Sequence, residues 1–316
     1  MKWFTYLTAF VALQIASALA APAVFKRAST SDVATVGYAA QAGTTGGKGG
    51  SVTRVSSLSA LTSAVSGDSK KIVIIDGTIT GNTVVKVGSN TSLLGASGSA
   101  LVGVGIRVLD ESNIILRNLK VSKVLASAGD AIGIQASSKV WVDHCELSSD
   151  RDHDKDYYDG LLDVTHGSTG ITVTYTYLHD HWKASLVGHS DSNGSEDAAL
   201  QVTYALNRWV NLNSRTPSFR FGHGHIFNNV FDNNSDGINT RDGAQLLVQN
   251  NVWTGTSKPL YSTDGGYAVA SGNDFGGASN SAPTGSFTSA PYSYSMISAS
   301  SVRSAVVGSA GATLSF

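Results

Sequence analysis

Eight short β-branched runs recur along the 316-residue chain with almost no helical spacing between them, and this recurrence restricts the fold more than any single motif. They are "KIVIID", "TVVKV", "NIILRNLKV", "KVWVDHCEL", "GITVTYTYL", "ALQVTYALN", "HGHIFNNVF" and "LLVQNNVW". In the later runs an apolar stretch leads to a residue able to stack or hydrogen-bond, then to another apolar position. Aligned on that residue, Asn118, His144, Tyr175, Tyr204, Asn229 and Asn251 follow one another at steps of 26, 31, 29, 25 and 22. A floor near 22, with the excess absorbed in loops, marks a solenoid. Strands this short with no helices between them predict an all-β fold, a right-handed parallel β-helix of three sheets. Asn at a tight bend would bond its amide to neighbouring backbone groups.

One helical pattern stands out. In "SSLSALTSAV", 56–65, Leu58, Leu61 and Val65 share a face, and a helix there would cap the open N-terminal end of the solenoid, covering apolar interior and unpaired strand edges. The stretch from about 275, "GGASNSAPTGSFTSAPYSYS", predicts loop wrapped around the outside. Residues 36–316 are therefore read as a single parallel β-helix domain.

Residues 1–20, "MKWFTYLTAFVALQIASALA", combine an early lysine, an apolar run and small residues before the boundary, as a secretory signal peptide does. Residues 21–35 form an N-terminal segment in which Lys26-Arg27 offers a dibasic processing site. No later stretch reaches the roughly 18 apolar residues of a membrane span. A secreted, extracellular protein acting as a monomer away from membranes is expected. Asn90, Asn193 and Asn233 each open an Asn-x-Ser/Thr sequon, so glycosylation is expected to be open to them. The formal net charge of −1 and the lack of a basic run exclude nucleic acid as the expected partner. Cys145 is the only cysteine, so no internal disulfide forms, and its apolar neighbours predict a buried residue rather than a nucleophile.

Charged residues concentrate in four β-rich segments: "GDAIGIQASSKVWVDHCEL", "DYYDGLLDVTHGSTGITVTY", "HDHWKASLVGHSD" and "RTPSFRFGHGH". Asp159 and Asp163 lie four apart in "DGLLD", with Asp130 about one coil earlier. Carboxylates from adjacent coils can converge on a hard cation such as calcium; as residues alone they fit solvated loop charges better. Lys183, Arg215 and Arg220 would project toward the same cleft, where arginine offers a two-pronged donor set to carboxylates. His223 and His225 share a strand face and could form a zinc pair with "HDH" (179–181), but packed scaffold is the favoured reading. Asp143 and His144 predict a hydrogen-bonded pair bracing a coil, and His189 a loop brace.

Together these four ordered segments, from about Val36 to the tail and most densely over 129–231, resemble the secreted pectate lyases, with fungal members the best match. The resemblance implies a β-helix that cleaves (1→4)-α-D-galacturonan by calcium-dependent β-elimination, leaving 4,5-unsaturated oligogalacturonides, in the degradation of plant cell-wall pectin. It implies calcium ligation by Asp130, Asp159 and Asp163, substrate carboxylates on Lys183 and Arg220, and Arg215 as the catalytic base. An arginine base runs against the ordinary protonation of guanidinium, so the residues alone support only a substrate-contacting cation at 215. One departure stands out: Ala128 replaces an acidic ligand that some bacterial relatives carry, which implies a weaker calcium site.

Three rivals are weighed against this. A pectin lyase would need no calcium and would replace the carboxylates. A β-helical polygalacturonase would hydrolyse with an aspartate pair. A non-catalytic β-helix would only bind polysaccharide.

Overall fold

The computed structural model describes residues 26–316; the signal-peptide segment 1–20 lies outside the described residues. Its strands pair in parallel throughout the solenoid. One ten-stranded sheet runs from Ser51–Val55 to Tyr267–Ser271. The larger sheet contains two faces joined through the long strand Ala100–Leu109. The first half of that strand pairs with Lys120–Ser122 and its second half with Ile132–Gln135. From there each coil supplies one strand to each of three faces, the right-handed three-sheet β-helix expected.

Side chains stack by register, coil upon coil. Leu116, Val142, Val173, Tyr204, Ile226 and Val248 form one continuous column and all are fully buried. Burial of each such side chain is worth roughly 1.5–3 kcal/mol, and repetition of the column holds together a chain that has no disulfide. On a second face Trp209, Phe231 and Trp253 stack inside the coil, with centroids 5.6 and 4.7 Å apart.

The bend after the ten-stranded sheet takes two residues, not one. Its first residue has left-handed backbone in coil after coil: Asn118, His144, Tyr175, Leu206, Asn228 and Asn250. Its second carries an inward amide in the later coils. Asn207 Nδ2 donates to Asn229 Oδ1 (3.0 Å), Asn229 to Asn251 (2.9 Å) and Asn251 to Asn273 (3.0 Å), each 22 residues on. The column read from sequence therefore merges two neighbouring positions. Asn118 is a left-handed residue whose amide donates to the carbonyls of Gly95 and Leu314. Tyr204 is no bend residue at all; it sits two places earlier in the sheet core, where an aromatic was aligned by its polar tip.

The helix Leu58–Ala64 forms at the N-terminal end, with the Ser57 hydroxyl accepting from Ala60 N–H and Leu61 and Val65 fully buried. The segment after 275 is largely loop, as expected, but it continues into a helix, Ala299–Val306, and a strand, Leu314–Ser315. That strand pairs with Lys26–Arg27, and Asp32 reaches Arg117 at 2.7 Å, so packing begins ahead of residue 36. Among the described residues no helix is long and apolar enough to cross a membrane.

Candidate active site

The strands Ile132–Gln135, Leu162–Thr165, Leu186–Val187 and Ser218–Arg220 lie side by side on one face, and the residues just before or within them carry the charged groups singled out by sequence. Coil stacking brings Asp130, Asp159 and Asp163 into one neighbourhood. Asp130 and Asp163 are buried, at 7% and 8% exposure, while Asp159 stays partly open. Asp130 Oδ1 accepts from the Gly160 N–H (3.1 Å) and Asp163 Oδ1 from the Leu186 N–H (2.9 Å).

Burial, then repulsion from Asp163 and Asp159, push Asp130 well above the usual carboxylate range, with Arg107 opposing. Asp163 is raised to about 6 by burial, with Asp159 adding to the rise and Arg215 opposing it. Asp130 and Asp163, both raised and both beside the negative charge of Asp159, form with it a donor set short of positive charge, and oxygen-only donors suit a hard divalent cation. Among the described residues no three acidic or metal-ligating side chains already close on one point; Asp159 instead faces Lys183, with Nζ 3.5 Å from Oδ1.

The predicted cations flank this wall. Arg215 Nη1 lies 3.8 Å from Asp163 Oδ2, and Arg215 has left-handed backbone, a conformation that a non-glycine residue holds only when its surroundings impose it. Lys183 Nζ meets Asp156 Oδ1 at 3.1 Å. Arg220 Nε donates to Asp191 Oδ1 at 2.5 Å. Asp156 and Asp191 are both exposed, and ion pairs with exposed partners are weak enough for a substrate carboxylate to displace.

Arg241 escaped the sequence reading, and His181, weighed there only within the "HDH" of a zinc set, has a different role. Arg241 lies beside Arg220 in register on the next coil and shares Asp191 with it; the "TR" of "INTRDGAQ", one 21-residue step after Arg220, is the signal that could have found it. His181 is buried between Ser149 Oγ, at its Nδ1, and the Asp159 carbonyl, 2.5 Å from its Nε2. Burial pushes it down to about 4, so it is a neutral strut beneath the Asp159 loop.

The remaining candidates belong to the scaffold. His225 is buried beneath the C-terminal loop, with Nδ1 against the Tyr292 hydroxyl (2.7 Å) and Nε2 against Gln249 Oε1 (3.1 Å), while His223 is exposed beside Phe287. The His189 ring packs at a tilt against His166, 4.3 Å between centroids, and its backbone N–H donates to Asp197. Asp143 is buried and receives Arg117 Nε (2.6 Å) and Thr174 Oγ1 (2.7 Å), next to the His144 ring. Cys145 is fully buried, and burial pushes its thiol up to about 12. A cavity of about 450 Å³ lies near Arg117, Trp141 and Tyr175, away from the carboxylates, which line an open face suited to a polymer.

Comparison with known proteins gives the family of this fold. A family described as pectate lyase matches residues 7–315. The chain is similar to pectate lyase A of Aspergillus niger, 57% identical over the whole of both chains. It is also similar to a probable pectate lyase A of Aspergillus fumigatus, 60% identical over 95% of each. Among solved structures it resembles a Bacillus pectate lyase in complex with trigalacturonate (TM-score 0.80, 32% identity, 89% of this chain and 99% of that one). Pectate lyase II of Xanthomonas campestris superposes with a TM-score of 0.77 at 29% identity, covering 89% and 98%. The chain thus belongs to the pectate lyase family.

Proposed function

We propose that this protein is an extracellular lyase that cleaves polygalacturonate by β-elimination and needs calcium to do so. The observation that carries the reading is the pair of buried aspartates, Asp130 and Asp163, each met by a single backbone N–H and facing a row of cations. A structural aspartate at that depth would have its lone pairs met by several close donors, as Asp143 does. Asp130, Asp163 and a reoriented Asp159 would hold the ion, whose chemistry when bound is to neutralise the carboxylate next to C5 and acidify the C5 proton.

The chain's own residues do the rest. Lys183 and Arg220 exchange Asp156 and Asp191 for uronate carboxylates and fix the polymer across the coils. Arg215, acting in its neutral form once Asp163 is taken over by calcium, receives the C5 proton; the electron pair left at C5 forms the C4=C5 double bond as the C4–O bond breaks, and the leaving oxygen takes a proton from solvent. His181 holds the Asp159 backbone in place from below. With only three carboxylates and Ala128 where some relatives have a fourth, calcium binding leans on the substrate's own carboxylates. The enzyme acts as a monomer. Asn233 is the sequon asparagine open to a glycan, since Asn90 and Asn193 commit their side-chain amides to Asp68, Glu196 and Asp197.

The test is absorbance of the new double bond on polygalacturonate, with and without EDTA. Absorbance lost in EDTA and restored by calcium is expected. New reducing ends without absorbance would mean hydrolysis, and neither would leave a binding protein.

A further inference from the structure

Two cations of the cleft wall are covered by a carboxylate on their solvent side. The side chains of Lys183 and Arg220 are 14% and 13% exposed, whereas Asp156 and Asp191, which they meet at 3.1 and 2.5 Å, are 67% and 60% exposed. Each acid therefore stands between its cation and solvent, in the place from which a ligand would arrive. Arg241, on the next coil, is covered by the same Asp191 at 3.1 Å. The two acids come from separate loops. One lies between the strands Glu146–Ser148 and Leu162–Thr165, the other between the strand Leu186–Val187 and the short helix Gly194–Asp197.

Each cation also has a second, less exposed carboxylate. Asp159 Oδ1 lies 3.5 Å from Lys183 Nζ, and Asp242 Oδ2 lies 3.5 Å from Arg220 Nε. Arg220 Nη1 also donates to the Gly188 carbonyl at 3.4 Å, so Arg220 keeps its place when Asp191 leaves it. Hydrogen bonds from Lys183 and Arg220 hold Asp156 and Asp191 below the usual carboxylate range, and both acids stay ionised wherever an ordinary uronate is ionised. A tethered acid competes at a high effective concentration, and a ligand that must displace it binds more weakly, by the fraction of time the cation is free.

We propose that Asp156 and Asp191 are resident competitors for uronate carboxylates: in the free protein they fill the places that the polymer's acids take, and they set how tightly substrate and product bind. This rests on the polyuronate reading of the same cleft and adds to it what the two aspartates contribute. Each uronate that gains a cation releases one of these acids to solvent, so the gain per sugar is small. Firm binding then needs several sugars at once, and a short product, holding fewer cations, leaves.

Asp156→Asn and Asp191→Asn each keep the side-chain shape and lose the charge. Each should lower KM for polygalacturonate about threefold, and the two together about tenfold, the range that two exposed ion pairs on separate loops span. The inhibition constant of an oligogalacturonide product should fall by the same factor, with kcat unchanged or lower. Asp152→Asn removes an equal charge from the exposed part of the same loop as Asp156, outside these ion pairs, and should leave KM within about twofold of wild type. KM unchanged or raised in the double variant overturns the proposal. So does an equal fall in Asp152→Asn, which would reduce the effect to general charge, or a fall in KM with no matching fall in the inhibition constant, since a resident competitor acts on the free protein. Calorimetric titration with polygalacturonate separates the two readings. Binding by the wild type with no gain in the variants sinks this inference alone, whereas binding by none of them sinks the polyuronate reading with it.

Discussion

Asp143 and Asp163 are the same residue type at the same depth, on different sheets of one solenoid, and their surroundings drive them in opposite directions. At Asp143 burial alone would raise the pKa, yet the neighbouring His144, Arg117 and Thr174 outweigh it and hold the carboxylate below its usual range. At Asp163 the single Leu186 N–H and an arginine at 3.8 Å leave burial dominant, and the group sits at about 6. A buried aspartate whose lone pairs are met is part of the frame. One whose lone pairs are open, beside two more carboxylates, suits the cation that the proposed function assigns to it.

The largest effect expected from breaking that contrast is on turnover. Arg215→Lys keeps a charge near Asp163 but moves the proton acceptor, and kcat should fall by roughly 10²–10⁴ while polygalacturonate binding, measured by calorimetry, stays within a few-fold. Turnover near wild type would remove Arg215 from the reaction.

Next comes stability. Asp143→Ala strips a buried ion pair and should destabilise the fold by about 3–5 kcal/mol in urea unfolding. Asp163→Asn in calcium-free buffer should instead be neutral or stabilising, and should abolish calcium binding. Similar losses of stability at both positions would mean that both are structural.

The pH dependence sharpens the same comparison. With its folded pKa raised, Asp163 contributes stability below its unfolded value near 4, and that contribution is lost as pH rises through about 6. Without calcium the melting temperature should therefore decline over that window, and Asp163→Asn should flatten the decline. Asp143, lowered, works in reverse: its contribution is present above pH 4 and is lost on acidification through its folded pKa.

Smaller again is the effect of the strut. His181→Ala should weaken calcium binding several-fold with little change in global unfolding, and His181→Gln, which can keep a donor toward the Asp159 carbonyl, should recover part of it. Equal losses in both variants would assign the residue to packing alone.

Much of this was legible in the chain. The 22-residue step, the short β-branched runs and the absence of helical spacing determine a solenoid, because each coil can bury its apolar side only against the next. The resemblance of four ordered segments marked the charged residues that the fold then gathers on one face. The bend column was misread because side-chain polarity identifies residues that can stack but not which of two adjacent backbone positions each occupies; Tyr204 and Asn118 show the error in both directions.

What sequence could not hold is which charges are met and which are left open. Asp143 and Asp163 look alike in a string of letters, as do Arg107 and any surface arginine. Only the parallel register, which lays Arg107, Gly133 and Asp163 in one row and Arg117 against Asp143 in another, decides which buried carboxylates are met by donors and which are left open. Desolvation and charge act over a few ångströms of space, and in a solenoid those neighbours lie about a coil away in the chain.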